Sequence, residues 1–249
     1  MPPAPRAARR RTALLGSLSC AALLLVQPAA ATGGDCLAPT ANWTGSVVSG
    51  AHTSISARWT VPRADCAASP DGLTDQWIGF GSGDSWQDPL NQTGTSAACE
   101  DGVASYWAWW EQFPAAPVNY PDPVRAGDVM QSSITAPKNS QNYTMTLRDV
   151  TRNWTQTVYV TGPATGTQVE AVTELHTPSA LTTTITYDRL LIDSRPLGAF
   201  PNAEILPGQL GGVCVDTGLD GASTLVTAPQ KASTTRTSEE RIRPGHLSR

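Results

Sequence analysis

Two glutamates in strands of unusual composition are the residues of this sequence best suited to chemistry. Side chains alternate along a strand, so Glu111 shares a face with Trp107 and Trp109. By the same alternation, Glu174 shares a face with Glu170. A carboxylate can take a proton from water and return it to a leaving group. Taken alone, the pattern around Glu174 favours an ordinary solvent-exposed face, and the one around Glu111 fits an aromatic groove or a strand end at the rim.

The three histidines offer weaker candidates for a general base. His246 lies near the C-terminal end, and His52 and His176 are not next to a nucleophile motif. The sequence contains no Gly-x-Ser-x-Gly elbow and no His-Glu-x-x-His pair. A Ser-His-Asp site built on His52 or His176 stays open as an alternative, but a carboxylate that activates water is the preferred hypothesis.

Strands must position these residues, because short alternating runs separated by Gly, Pro and Asp dominate the chain. The predicted strands are Ile55–Val61, Tyr106–Phe113, Val129–Ile134, Tyr143–Leu147, Thr155–Val160, Gln168–Leu175 and Thr182–Tyr187. No amphipathic helix is predicted. Many short strands with this punctuation predict an all-β, antiparallel, lectin-like sandwich of two packed sheets.

The ends of the chain differ in composition from this strand-rich part. Arginines precede an apolar run, Ala13–Val26, and small residues, Ala29–Ala31, follow it, as in a signal peptide. The apolar run is too short for a stable membrane span. We therefore expect a signal peptide over residues 1–31, a sandwich domain over 32–226, a disordered tail over 227–249, and a secreted product.

The predicted domain is strongly acidic. Residues 32–226 contain 8 Arg or Lys against 19 Asp or Glu, a net charge of −11. Such a domain lacks the basic surface that nucleic acids and anionic membranes require. The negative net charge is consistent either with simple solubility or with a protein that functions at low pH, where carboxylates titrate. We expect a monomer.

Four cysteines remain after removal of the predicted signal: Cys36, Cys66, Cys99 and Cys214. An even number in an exported chain predicts two disulfides. The favoured pairs are Cys66–Cys99, as a local clamp, and Cys36–Cys214, although the sequence leaves all three pairings open. No Cys-x-x-Cys pair or Cys/His cluster indicates zinc, and no cofactor or metal is implied.

An ordered set of motifs resembles the glutamic peptidases, the eqolisin family, and the Ala- and Arg-rich leader favours a secreted member of bacterial type. The Gln-Thr-Gly segment and the Tyr-x-Ala-Trp strand are the most specific pieces. In chain order the motifs are Asn42-Trp43-Thr44-Gly45, Trp59-Thr60-Val61-Pro62, Trp77-Ile78-Gly79-Phe80, Leu90-Asn91-Gln92-Thr93-Gly94, Tyr106 to Pro114, Gly127-Asp128 and Val169-Glu170-Ala171-Val172-Thr173-Glu174. They span about half of the chain.

The resemblance implies a secreted acid endopeptidase that cleaves polypeptides with a glutamate–glutamine dyad. It assigns Gln92 and Glu174 to that dyad. Glu111 and Asp84 then become groups that tune Glu174, and tryptophans become candidates for the wall of a peptide cleft, namely Trp43, Trp107 and Trp109.

The sequence departs from the family pattern at two places. Gly81 stands where the family often has an acidic residue, and Asp84 is the nearest acid. Ala171 replaces the usual tryptophan before the catalytic glutamate.

Two other functions compete with peptide hydrolysis. Paired carboxylates with indoles on a sheet also suit a glycoside hydrolase, in which Glu111 and Glu174 would be acid and nucleophile. A non-catalytic, lectin-like binding module would use the aromatic face as its platform. Loss of proteolysis on replacement of Gln92 separates the first hypothesis from both alternatives.

Overall fold

The protein is seen in a computed structural model that describes residues 42–81, 88–138, 140–162, 164, 166–176, 184–206, 208–210 and 213–229. Within these ranges it consists of strands and one 3₁₀ turn, Leu197–Ala199. The strands are β1 Trp43–Ser49, β2 Ser54–Thr60, β3 Leu73–Gly81, β4 Leu90–Glu100, β5 Val103–Phe113, β6 Val118–Asn119, β7 Val129–Thr135, β8 Asn142–Asp149, β9 Trp154–Thr161, β10 Gln168–Leu175, β11 Ile185–Ile192, β12 Arg195–Pro196, β13 Ala203–Leu206, β14 Gly208–Leu210, β15 Val213–Leu219 and β16 Leu225–Pro229.

These strands form two antiparallel sheets that pack as a sandwich. The first sheet has seven strands in the order β13-β1-β10-β3-β4-β5-β6. The second has the order β14-β15-β16-β11-β2-β7-β8-β9, with the short β12 beside β11. The predicted all-β sandwich is confirmed. No helix in the described ranges has the length and apolar character needed to cross a membrane.

The core lies between the two sheets and is filled from both. Its largest fully buried side chains include Trp59 and Tyr187 of the second sheet and Phe80 of the first. The strict alternation in β2 and β8 reflects strands with one face on this core. Burying each such side chain contributes roughly 1.5–3 kcal/mol to folding.

The seven-stranded sheet also carries apolar residues on its outer face, which points away from the core. There Trp77, Trp109 and Val172 form a second buried cluster, with Trp43, Leu90 and Trp107 packed against it. Strands β1, β3 and β4 are consequently buried over most of their length rather than at every second residue. The absence of alternation explains why the period-two pattern did not predict them as strands.

The strands that alternation predicted are present, with ends that differ by a few residues. The predicted Thr182–Tyr187 strand begins in residues outside the description and continues as β11 to Ile192. The last strand, β16, runs past the expected domain end at residue 226, because Thr227 pairs with Ile185 on one side and Thr217 on the other. The strand thus includes the first three residues of the expected tail, and residues 230–249 lie outside the description.

One of the two predicted disulfides is present. Cys66, in the loop before β3, is bonded to Cys99 near the end of β4 with a Cα–Cα distance of 5.4 Å. The bond ties that loop to the seven-stranded sheet and is typical of proteins from oxidising compartments. The other predicted pair, Cys36–Cys214, involves side chains outside the description.

Candidate active site

Strand register places the candidate residues on the outer face of the seven-stranded sheet in three rows, where a row is a set of directly opposite residues. The upper row, named for Gln92, consists of Glu111, Gln92, Gly79, Glu170, Val47 and Glu204. The middle row, named for Trp77, consists of Trp109, Gly94, Trp77, Val172, Gly45 and Leu206. The lower row, named for Glu174, consists of Trp107, Ser96, Asp75, Glu174 and Trp43.

A cleft of about 630 Å³ opens over this face. It contains Gln92 from β4 and both glutamates of β10. Its described lining is Asn42, Trp43, Val47, Ser49, Trp77, Gly81, Asp88, Pro89, Leu90, Gln92, Phe113, Gln168, Glu170, Glu174, Glu204 and Leu206. An apolar cavity with a few convergent polar groups is the usual form of a small-molecule or peptide site.

Gln92 is buried, and within the described residues its side-chain amide is hydrogen-bonded through the nitrogen but not through the oxygen. Its Nε2 donates a hydrogen bond to Oε2 of Glu111, which lies directly opposite on β5. Its Oε1 is buried without a hydrogen-bond partner among the described residues. An amide nitrogen carries two N–H groups, so Gln92 still has a donor and an acceptor for a bound molecule.

Glu174 is held by two donors from neighbouring strands. Asn42 Nδ2 donates to Oε1 at 2.8 Å, and Trp77 Nε1 donates to Oε2 at 3.2 Å. Burial raises the pKa of Glu174, and the charge of Asp75 adds to this rise. The charge of His176 and the two donors oppose it by stabilising the carboxylate. Both oxygens of this carboxylate are therefore held by hydrogen bonds.

Gln92 and Glu174 lie on the same face but two rows apart, and the middle row lies between them. Along a strand the two rows are four positions apart, which corresponds to about 13 Å of backbone. The side chains are electrostatically connected across that gap, because the charge of Glu174 contributes to the raised pKa of Glu111, the hydrogen-bond partner of Gln92. Burial is the largest cause of that rise.

Glu170 is the β10 residue that shares a row with Gln92, and Gly79 lies between them. Burial raises the pKa of Glu170 to about 7, and the charge of Glu174 adds to the rise. The Glu170 carboxyl is therefore protonated in acid. The solvent-exposed face that the strand pattern alone favoured for this pair is not found, because Glu170 is buried and Glu174 is largely so.

Asp75 and His176 border Glu174. Asp75 is its direct cross-strand partner, and His176 Nε2 lies 2.8 Å from Asp75 Oδ2. One atom from each of the three side chains lies within 4.8 Å of the others. Asp75 Oδ2 and His176 Nε2 pair with each other, and the two oxygens of Glu174 accept hydrogen bonds from Asn42 and Trp77. Asp75 Oδ1 is buried without a partner among the described residues. We describe the cluster as a hydrogen-bonded charge network.

The second histidine that the sequence left as an alternative, His52, lies elsewhere. Its Nδ1 contacts Asp193 Oδ2 at 2.9 Å, while its Nε2 is buried without a partner in the described part of the chain. A Ser-His-Asp site needs a serine at that second nitrogen. The His52–Asp193 pair therefore joins two loops, and no serine of the described ranges hydrogen-bonds its second nitrogen.

The structure brings most of the predicted site residues together. Trp43 lines the cleft, Trp107 and Trp109 pack in the outer cluster, and Glu111 holds Gln92. Asp84 lies outside the described residues. Residues not predicted are the donors to Glu174, Asn42 and Trp77, the pair Asp75 and His176, and the acid Glu170. Glu170 and His176 carried a usable signal, because each is an even number of positions from Glu174 and so on the same side of the strand.

Comparison with known proteins identifies relatives of two kinds. Aspergillopepsin-2 of Aspergillus niger is 26% identical over 119 residues, which are 40% of this chain and 42% of the relative. The match thus spans less than half of that relative's length.

Solved structures share the fold over a larger part of the chain. Scytalido-glutamic peptidase with a transition-state analogue inhibitor superposes with a TM-score of 0.63 at 20% identity. SCP-B, a member of the eqolisin family, in complex with the tripeptide Ala-Ile-His, superposes with a TM-score of 0.61 at 18% identity. Each covers 76% of this chain and 98% of the other chain.

The sequence profile of the Peptidase A4 family matches residues 41–238. Because this match covers most of the chain, the protein belongs to the Peptidase A4 family, the glutamic peptidases or eqolisins.

Proposed function

We propose that this protein is a secreted endopeptidase that acts in acid and hydrolyses peptide bonds with Glu174 and Gln92. The observation that supports the proposal most directly is that an oriented carboxylate and a buried amide with free hydrogen-bonding capacity line one cleft on the outer face. Family membership adds the reaction class.

In the proposed mechanism, a peptide bond lies over the row of Trp77, between Gln92 and Glu174. The Glu174 carboxylate takes a proton from water as the water oxygen bonds to the carbonyl carbon. The second N–H of Gln92 stabilises the negative charge that develops on the carbonyl oxygen. Glu174 then gives its proton to the amide nitrogen, the C–N bond breaks, and the products are a carboxylic acid and an amine.

The environment of each carboxyl suits a division of roles. Glu174 receives hydrogen bonds from Asn42 and Trp77, which favour its ionised, basic form. Glu170 has no hydrogen-bond donor among the contributions to its raised pKa, so it keeps its proton in the same pH range. A free glutamate titrates near 4.3, so a base of this type works in mild acid without assistance from a stronger base.

The competing glycoside hydrolase role assigns Glu111 as acid or nucleophile. In the structure Glu111 accepts a hydrogen bond from Gln92. The glycosidase mechanism assigns no role to this glutamine. Both roles are tested by incubating the protein with denatured protein and, separately, with polysaccharides.

The proposal is tested with Gln92→Ala and Glu174→Gln at pH 3–5 on denatured protein substrate. We expect each variant to lose on the order of 10²–10³ in kcat/KM or more. Matched controls are Gln131→Ala and Glu100→Gln, which change the same residue types at exposed positions and are expected to keep full activity. Circular dichroism checks that all four variants fold. Activity that survives in both site variants would refute the dyad.

A further inference from the structure

The corner of the cleft at Glu174 has an unusual charge arrangement. Glu174 and Asp75 are direct cross-strand partners, so two carboxylates lie side by side on one face. Like charges in directly opposite positions destabilise a sheet and hinder ionisation of both groups. An ionised base at this position therefore needs a compensating positive charge.

His176 supplies the only compensating cation that borders this corner in the described residues. It follows Glu174 by two positions, and its Nε2 lies 2.8 Å from Asp75 Oδ2. The hydrogen bond to Asp75 is the main reason for the raised pKa of His176, and the charge of Glu174 raises it further. In acid the imidazole is therefore protonated.

The remaining groups around Glu174 are neutral or acidic. Asn42 and Trp43 from the start of β1 and Ser96 from β4 carry no charge. The ionisable groups on neighbouring strands are Glu170 of β10 and Glu111 of β5, and Asp88 and Glu204 also line the cleft. Every one of these is a carboxylic acid, so none can replace His176 as counter-charge.

We propose that Asp75 and His176 form a positioning pair for Glu174, in which the imidazolium keeps Glu174 ionised in acid and Asp75 orients the imidazolium. The inference rests on the proposed function, because it assigns Glu174 as the base. Neither residue of the pair needs to touch the substrate.

The two members of the pair are expected to shift the pH profile in opposite directions. His176→Gln removes the cation and leaves Asp75 unbalanced, so the pKa of Glu174 rises and the acid limb of kcat/KM moves to higher pH. Asp75→Asn removes the neighbouring anion while His176 stays charged in acid, so the acid limb moves to lower pH. His176→Lys restores the cation and returns the limb toward its original position.

A purely structural role would lower activity by the same factor at every pH. His52→Gln is the matched control, since it breaks another His–Asp pair away from the cleft, and it is expected to leave the shape of the profile unchanged. Shifts in the same direction for His176→Gln and Asp75→Asn, or no shift in either, would overturn the proposal.

A second readout separates this inference from the proposed function. The side-chain carboxyl ¹³C resonance of Glu174, assigned by comparison with Glu174→Gln, reports its titration without any substrate. We expect its midpoint to rise in His176→Gln and to fall in Asp75→Asn. These shifts in a protein without peptidase activity would support the pair and reject the catalytic role. Normal peptidase activity with an unshifted titration would reject the pair alone.

Discussion

Gln92 and Glu170 lie in one row of the seven-stranded sheet, with only the hydrogen atom of Gly79 as a side chain between them. The proposed dyad, in contrast, joins Gln92 to Glu174, two rows away. Glu170 is thus a buried acid close to the proposed chemistry that the proposed mechanism does not consume. Its raised pKa, about 7, makes it a source of pH-dependent stability.

Glu170 is expected to make the protein less stable as the pH rises. Its pKa is raised from 4.5 in the unfolded chain to about 7 in the fold, so the folded protein holds this proton more tightly. Below pH 4.5 the carboxyl is protonated in both the folded and the unfolded protein, so it does not make the free energy of unfolding depend on pH. Between these values the free energy of unfolding falls, by about 3 kcal/mol in total.

Glu170→Gln should remove that loss. The free energy of unfolding of the variant should exceed that of the native protein by about 3 kcal/mol above pH 7 and should nearly equal it at pH 4. Urea unfolding at both pH values measures the difference. Glu204→Gln, at the exposed edge of the same row, is the control and should behave like the native protein at both. An equal effect of Glu170→Gln at the two pH values would contradict the assignment.

Two glycines in the rows of the seven-stranded sheet, Gly94 and Gly79, are expected to respond differently to alanine. At Gly94 a Cβ would lie 2.2 Å from the Gln76 carbonyl oxygen and 2.6 Å from the Trp77 Cβ, so the backbone must move. Gly94→Ala should lower the free energy of unfolding by about 1–3 kcal/mol, as overpacked positions do. Thermal unfolding measures this loss.

At Gly79 a Cβ meets only ends of side chains, the Leu90 Cδ1 and the Trp77 Cζ3, both at 2.9 Å. Gly79→Ala should therefore lose less stability than Gly94→Ala. It should lose more kcat/KM than its stability change explains, because the added methyl group lies directly opposite Gln92 on the neighbouring strand. If both variants kept the native stability and full activity, the neighbouring atoms at Gly94 and Gly79 would not be close enough to exclude a methyl group.

Asn42 is expected to act on the base without touching substrate. Its Nδ2 donates to Glu174 Oε1 at 2.8 Å and stabilises the carboxylate. Asn42→Ala removes this donor, so the pKa of Glu174 rises and kcat/KM falls most at the acid end of the profile. A pH–rate profile measures the shift. Asn202→Ala, which removes a surface hydrogen bond to Ser49, is the control.

Glu111 is expected to be a positioning residue for Gln92. Glu111→Ala frees the amide to rotate, and misplaced catalytic groups cost up to about 10²-fold in rate. Glu111→Gln still offers an oxygen to Gln92 Nε2 and should recover most of the activity. A glycoside hydrolase role for Glu111 predicts the opposite ranking on polysaccharides, where the glutamine variant would be inactive. Steady-state kinetics on both substrates compares the two.

Part of this architecture was accessible from the sequence. Alternation predicted β2, β8 and β9, because each has one face on the core or in solvent. It did not predict β1 and β4, since side chains on both of their faces are buried and the period-two signal disappears. The predicted shared face of Glu170 and Glu174 is confirmed, because both line the cleft.

Partners that depend on strand register were not accessible. Asp75 lies about a hundred residues from Glu174 in sequence, and only the pairing of β3 with β10 makes them neighbours. Asn42 reaches Glu174 through the pairing of β1 with β10. Motif resemblance assigned the dyad itself, whereas the groups that set its charge come from cross-strand geometry.

The hydrogen bond from Asn42 to Glu174 also makes Glu174 sensitive to where the chain is cleaved. Asn42 directly precedes β1, so Glu174 receives one of its donors from a residue just outside the strands. We expect a cleavage after Ala41 to leave that donor in place, and a cleavage one bond later to remove it.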